Sequence, residues 1–185
     1  TEDSPNRGAN PMDFVTPSEF VDLPSKGKYP EGHPLRGEET IEINYMTAKD
    51  EDILTSRSLL KKGIAIDRLI NNLIKDQRID PAHLYIGDRN AILVAARVTG
   101  YGDEYEVKMV CPSCGEAEEI SYSIDRITHF KEQDSDSHDV SQGSANGLYL
   151  TTLPKSGYPV EFKLLTAGDE MKIAKQRDQK KKHKL

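Results

Sequence analysis

The sequence has no tryptophan, four phenylalanines and eight tyrosines, so large aromatic side chains are scarce. It has two cysteines, Cys111 and Cys114. That excludes the disulfide framework on which small secreted folds depend and points to a reducing compartment. Long hydrophobic runs are also missing. The best candidate, Ala91 to Val98, is interrupted by Arg97 and falls well short of the ~20 residues of a membrane helix. Nor is there an excess of positive charge: 25 Lys and Arg stand against 31 Asp and Glu, a formal net charge of -6. This balance argues against generic nucleic-acid binding and leaves room only for a local basic patch. The acidic, proline-containing start lacks the basic and apolar regions of a signal peptide. What is present is 30% charged and 36% hydrophobic residue content over 185 residues, with a mean hydropathy of -0.66. Such a chain suits one domain with a modest core and a large surface facing water or partners.

Residues 1–18, with Pro5, Gly8, Pro11 and Pro17, read as an N-terminal arm, disordered or docked on a partner. Residues 19–175 read as a single α+β domain and 176–185 as a basic C-terminal tail. Within the domain, Phe20 to Pro30 is turn-rich, with Leu23 and Tyr29 as apolar anchors. Ile41, Ile43 and Tyr45 alternate as a half-buried strand does. Thr47 and Asp50 have the spacing of a capping box, and the helix they open is expected to carry Ile53, Leu54, Leu59 and Leu60 inward and to end at Lys61-Lys62-Gly63. Ile66, Leu69, Ile70, Leu73 and Ile74 mark one face of a second helix. Asp80-Pro81 opens a short turn, Gly87-Asp88 resets the chain with Asp88 as a helix cap, and Arg89 to Thr99 forms a third, central helix that Gly100 and Gly102 terminate.

Beyond it, residues 104–124 alternate on both sides of Cys111-Pro-Ser-Cys114-Gly115, the outline of a hairpin with a metal-type knuckle. Residues 131–147 are Ser, Asp, Gln and Gly, expected as a polar loop. Leu148 to Leu153 and Val160 to Leu165 read as strands, and Thr166 to Asp169 caps a last helix that frays into Lys180 to Lys184. The fold class is therefore α+β, a helical middle of three main helices with flanking strand-helix units and a small CxxC hairpin. An internal echo supports the flanks. Leu23-Pro-Ser-Lys-Gly27, Tyr29-Pro30, a strand and Met46-Thr-Ala-Lys-Asp-Glu51 recur as Leu153-Pro-Lys-Ser-Gly157, Tyr158-Pro159, a strand and Leu165-Thr-Ala-Gly-Asp-Glu170. The echo predicts two equivalent units with their strands side by side in one sheet.

The cysteine pair is the one motif with a specific chemistry. Two thiolates at CxxC spacing bind one metal, yet a closed tetrahedral zinc needs four ligands. In-chain candidates are His129 and His138; otherwise a second subunit completes the site, and a higher symmetric assembly leaves room for a larger iron-sulfur cluster. A thioredoxin-like role is weaker, because its thiols sit at a helix start and these sit in a hairpin. A reduced dithiol that tightens the turn is the bland alternative. No enzyme motif stands out. Asp50-Glu51-Asp52 fits helix-dipole complementarity, Gly100-Tyr-Gly102 lacks the Lys-Ser/Thr of a phosphate loop, and no serine or cysteine nucleophile has a base in a recognisable motif. Lys180 to Lys184 reads as a solvated helix end.

Leu23-Pro-Ser-Lys-Gly27 with Tyr29-Pro30, Tyr45 to Leu54, Gly87 to Ile92, Ala96 to Gly102 and Cys111-Pro-Ser-Cys114 together resemble the baseplate hub and hub-assembly proteins of T-even-type contractile-tailed phages. The resemblance covers most of residues 20–115, and Leu165 to Glu170 extends it. It implies a non-enzymatic virion component, made in the host cytoplasm, that works through contacts with other hub, tube or tape-measure proteins. It supplies no catalytic residues. An assembly chaperone that leaves the finished particle and a zinc-ribbon nucleic-acid binder remain as alternatives.

Overall fold

The computed structural model describes residues 17–124 and 140–182. Among the described residues the architecture is α+β, with five α-helices and three small antiparallel sheets. The elements run β1 (Ser18–Asp22), β2 (Thr40–Asn44), α1 (Ala48–Thr55), α2 (Arg57–Lys62), α3 (Ala65–Leu73), a 3-10 turn (Pro81–His83), α4 (Ile86–Tyr101), β3 (Glu104–Val110), β4 (Ala117–Ser123), β5 (Val140–Gln142), β6 (Tyr149–Thr152), β7 (Pro159–Phe162) and α5 (Ala167–Lys182). Strands β1 and β2 pair alone, as do β3 and β4, and the third sheet has the order β5-β6-β7.

A single core joins β1, β2, α3 and α4. It contains Val21, Ile41 and Ile43 from the first sheet, Leu69, Ile70, Leu73 and Ile74 from α3 and its end, and Ala91, Ile92 and Ala96 from α4. The small residues of α4 let the sheet and α3 approach it closely. After residue 96, only Ile124 and Ala167 are buried among the described residues.

Several sequence expectations are corrected. Residue 18 and the Phe20 region belong to a strand, not to an arm and a turn: Ser18 to Asp22 pairs antiparallel with Asn44 to Thr40, burying Val21 beside Ile41. The helix expected to reach Gly63 breaks at Ser56, whose ψ of 106° is extended. There the Thr55 hydroxyl turns back to the Glu51 and Asp52 carbonyls and Ser56 meets Ser58, local hydrogen bonds that compete with a continuous helix. Leu60 consequently faces out, 52% exposed. The central helix begins three residues earlier than Arg89, capped by Tyr85, and Asp88 lies inside its first turn instead of capping it. Gly100 is also helical; the cap is Gly102. The polar loop 131–147 contains β5, which pairs with β6, while 131–139 lies outside the described residues. Helix α5 continues through residues 176–182.

The echoed strands are not side by side, since β2 pairs with β1 and β7 with β6. Each strand is taken by the strand preceding it, because each Leu-Pro turn closes a hairpin: Leu23 N–H reaches Glu39 O at 2.8 Å and Leu153 N–H reaches Tyr158 O at 2.9 Å. What repeats is local. Gly27 and Gly157 are both left-handed (φ 67° and 69°). Both following helices open on the same box, with the Asp50 carboxylate accepting from the Thr47 amide and hydroxyl (2.9 and 2.7 Å) and Asp169 from those of Thr166 (3.2 and 3.1 Å). Gly27 is required for a second reason: a Cβ there would lie 2.6 Å from Glu38 backbone atoms.

The long excursion 23–39 is pinned to α4. Ser25 N–H donates to Asp88 Oδ1 at 2.9 Å and the Tyr29 hydroxyl donates to Oδ2 at 2.6 Å, while Tyr85 N–H donates to the Tyr29 hydroxyl at 3.2 Å. The Tyr29 ring lies between His33 and Tyr85, with centroids at 4.0 and 4.3 Å. Burial, reinforced by the hydrogen bond to Asp88, raises the Tyr29 phenol far above its ordinary range, so it stays a donor. The β6 unit closes on the same place: Ile86 N–H meets Leu165 O, Ala167 N–H meets Leu84 O, and the Tyr149 hydroxyl donates to Lys28 O.

Tyr29→Phe keeps the ring stack but strands the carboxylate and the Tyr85 amide. It is expected to lower unfolding free energy by about 2 kcal/mol, read as a lower urea midpoint at unchanged slope, and Asp88→Ala by about 3 kcal/mol. A wild-type midpoint for Tyr29→Phe would remove this bond from the supports of the fold. A second test concerns α5. The Lys163 ammonium first, then the Thr166 amide, hold the Asp169 carboxyl at about 2 against an ordinary 3.8. The folded state is thus the stronger acid, so its stabilisation is complete above about pH 4 and is lost as pH falls toward 2. Lys163 is half exposed and the pair is screened by salt, which keeps the effect small. Far-UV circular dichroism should show helix loss across that window in wild type and a flatter acid limb in Asp169→Asn, which lacks the ionic cap at every pH.

Candidate functional site

The polar groups that stood out in the sequence are largely engaged in holding elements together. Asp50 is buried and links α1 to α3, since Asn72 Nδ2 donates to its Oδ1 at 3.2 Å. Burial opposes its charge, but the Thr47 and Asn72 hydrogen bonds outweigh that and hold the carboxyl below its ordinary value. Its neighbours Glu51 and Asp52 are exposed at the helix start. Gly87 to Asn90 lies within α4, where Arg89 reaches Asp67 of α3 at 2.8 Å and Glu170 of α5 at 3.6 Å. Gly100 and Gly102 end that helix.

An open groove of about 620 Å³ runs between α1, α3, the 3-10 turn and α5, with Lys49, Ile53, Arg68, Asn72, Ala82 and Met171 among its walls. Charges of both signs and apolar side chains alternate along it, because Asp67 and Asp80 also line it. Such a lining can receive a peptide segment; it brings no nucleophile against a base.

The cysteine hairpin is the other distinctive site. The register pairs Tyr105 with Tyr122, Val107 with Ile120 and Met109 with Glu118, which places Tyr105, Val107, Met109, Ile120 and Tyr122 on one face, with Glu118 as its one charged member. The opposite face carries Glu104, Glu106, Lys108, Glu119, Ser121 and Ser123, with Val110 and Ala117 at the end next to the knuckle. The apolar face is open: Met109 is 57% exposed and Tyr105, Ile120 and Tyr122 are about as open as one another, near 40%. At the tip Cys111 N–H donates to Glu116 O at 2.8 Å and Gly115 N–H to Cys111 O at 2.9 Å, with Gly115 left-handed at φ 76°. Both cysteines are free and exposed. The backbone amides of Cys114 and Ser113, and then the Cys114 side chain, point at the Cys111 sulfur and lower its thiol below the ordinary value.

The hairpin therefore brings Cys111 and Cys114 together, but His129 and His138 lie outside the described residues. Among the described residues no group of three or more His, Cys, Asp or Glu side chains is placed to hold one metal ion. Lys180 is exposed on α5, and the side chains of residues 181–184 lie outside the description. Sequence reasoning missed the joint made by Asp88 and Arg89. Their only signal was two adjacent charged residues immediately before an apolar helix, which a cap explains equally well.

No described helix is long and apolar enough to cross a membrane. Exposed large apolar residues include Phe20, Tyr45 and Leu60 but lie mostly after residue 100, among them Tyr101, Tyr105, Met109, Val110, Val140, Tyr158 and Ile173. Well-formed elements with so little buried surface are the mark of a chain made to be covered by others.

Neither a curated protein nor a solved structure matches the chain. A family does, and its match extends over residues 16–184, from the first hairpin through the cysteine knuckle to the end of α5. The chain belongs to the family described as T4 bacteriophage base plate protein.

Proposed function

We propose that the chain is a structural subunit of the hub region of a contractile-tail baseplate, acting by protein–protein contacts and not by turnover. The family establishes the baseplate; the hub position is our reading, from the resemblance of residues 20–115 to hub and hub-assembly proteins. The observation that carries the contact role is the division of burial along the chain. Residues 21–96 supply the core, whereas β3 to α5 keep their secondary structure with Met109, Val110, Tyr158 and Ile173 more than half exposed. An isolated two-stranded hairpin is marginal in water, and apolar faces of this kind gain stability when a neighbour covers them. The neighbours we propose are other hub, tube or tape-measure proteins and further copies of this chain in a symmetric assembly. Assembly takes place in the host cytoplasm, where reduced Cys111 and Cys114 are at home.

Quantitative peptide mass spectrometry on density-purified particles is the test. The expected result is this chain at a small fixed copy number per tail that matches the symmetry of the baseplate. Abundance in infected lysate with absence from particles would overturn the structural role and make the chain an assembly chaperone.

A further inference from the structure

We propose that Cys111 and Cys114 form half of a zinc site that the same two cysteines of a second copy complete, the two hairpins meeting through their apolar faces. The inference rests on the multi-copy reading above only for the presence of other copies, and it holds whether the chain remains in the particle or leaves it.

The donor chemistry comes first. A structural zinc site is closed by four ligands, and four thiolates are a common set. One hairpin offers two, at a spacing that reaches a single metal, in a knuckle closed by the Cys111 N–H to Glu116 O and Gly115 N–H to Cys111 O bonds. Both thiols stand in the open, where a second copy can reach them. Within the described part of one chain nothing supplies the missing ligands.

The surface beside the thiols is the second observation. Continuing the register one pair past Val110 and Ala117 sets Cys111 opposite Glu116, and the Cys111 N–H to Glu116 O bond at 2.8 Å makes that pairing. Strand alternation then places position 111 on the side of Tyr105, Val107 and Met109. The exposed strip of Tyr105, Val107, Met109, Ile120 and Tyr122, interrupted only by Glu118, and the incomplete ligand set therefore share one side of one hairpin. A two-fold axis through the metal would cover both at once, since an isologous contact sets each strip against its own copy. A single polar partner would leave the strip open, and an in-chain histidine would supply a ligand without covering it. The opposite face, with the Lys108–Glu119 pair at 3.9 Å, is the more polar of the two, Val110 and Ala117 being its apolar residues.

The test uses the purified full chain, reduced and equilibrated with zinc alone. Elemental analysis should find about half a zinc per chain, and sedimentation should find a dimer that chelator returns to monomer. Cobalt in place of zinc should give the charge-transfer and visible bands of a tetrahedral four-thiolate site. The double variant Cys111→Ser, Cys114→Ser should lose the metal and the dimer while keeping its helical circular dichroism. Should that variant fail to fold, Met109→Glu with Ile120→Glu keeps every thiol and should weaken zinc-dependent dimerisation by about tenfold or more. One zinc per monomer would overturn the proposal in favour of in-chain ligands such as His129 and His138. A zinc-free chain, or a dimer indifferent to both zinc and the face variants, would overturn it too. None of these outcomes alters the copy number found in particles, so the two readings fail separately.

Discussion

One buried carboxylate holds the two ends of the core together. Asp88 is fully buried in the first turn of α4, where the helix dipole favours negative charge. That alone does not compensate for removing a carboxylate from water; the Ser25 amide and the Tyr29 hydroxyl do so, each from a residue some sixty positions earlier in the chain. Because Tyr29 is stacked between His33 and Tyr85, the same contact fixes the whole excursion between β1 and β2. The next residue extends the joint. Arg89, largely buried, reaches Asp67 on α3 and Glu170 on α5, so two consecutive side chains of α4 connect it to the first hairpin, to α3 and to the last helix.

This joint explains why so little of the chain needs a core. The sheet, α3 and α4 bury Ile43, Ile70, Leu73, Ile74 and Ile92 to 1% exposure or less, enough for a stable centre. The later elements are attached to that centre through backbone bridges at Leu84 to Ile86, the Arg89–Glu170 pair and Asn146 against Glu31, with little buried apolar area beyond Ile124 and Ala167. Attachment by directional bonds orients the β5-β6-β7 sheet and α5 while leaving their apolar side chains outward. In the proposed baseplate role that arrangement leaves the outer faces for neighbours to cover. The stability of those faces then belongs to the assembly.

The parts legible in the sequence are those decided by near neighbours. The period of Leu69, Ile70 and Leu73 names α3, Asp80-Pro81 announces the 3-10 turn, and Thr47 with Asp50, like Thr166 with Asp169, announces a helix start. The parts that were not legible depend on distant groups. Ser18 to Asp22 follows a proline and carries two acids, so nothing local marks it as a strand; it becomes one because Thr40 to Asn44 offers a ladder and Ile41 a partner for Val21. Asp88 has the composition of a cap, and only the return of Tyr29 to α4 makes it an anchor. The site shows the same division. The cysteine spacing and alternating flanks were readable, but the identity of the open face follows from the strand register, which no single strand contains.

The two Leu-Pro turns separate local from tertiary causes within one molecule. Their sequences give the same left-handed glycine and lead into the same Thr-Asp helix cap, features that local chemistry fixes, although only the first turn also holds its lysine, Lys26, left-handed. Their burial differs completely: Tyr29 is 5% exposed and Tyr158 is 71% exposed. Shape therefore does not determine which turn is inside. The difference is the acceptor. The first turn faces Asp88, whose oxygens need the donors that the turn presents, and it is drawn inward; Tyr158 stands on the outside of the β6–β7 hairpin. The same motif thus serves once as an internal strut and once as outer surface, and a single aspartate on α4 decides between the two.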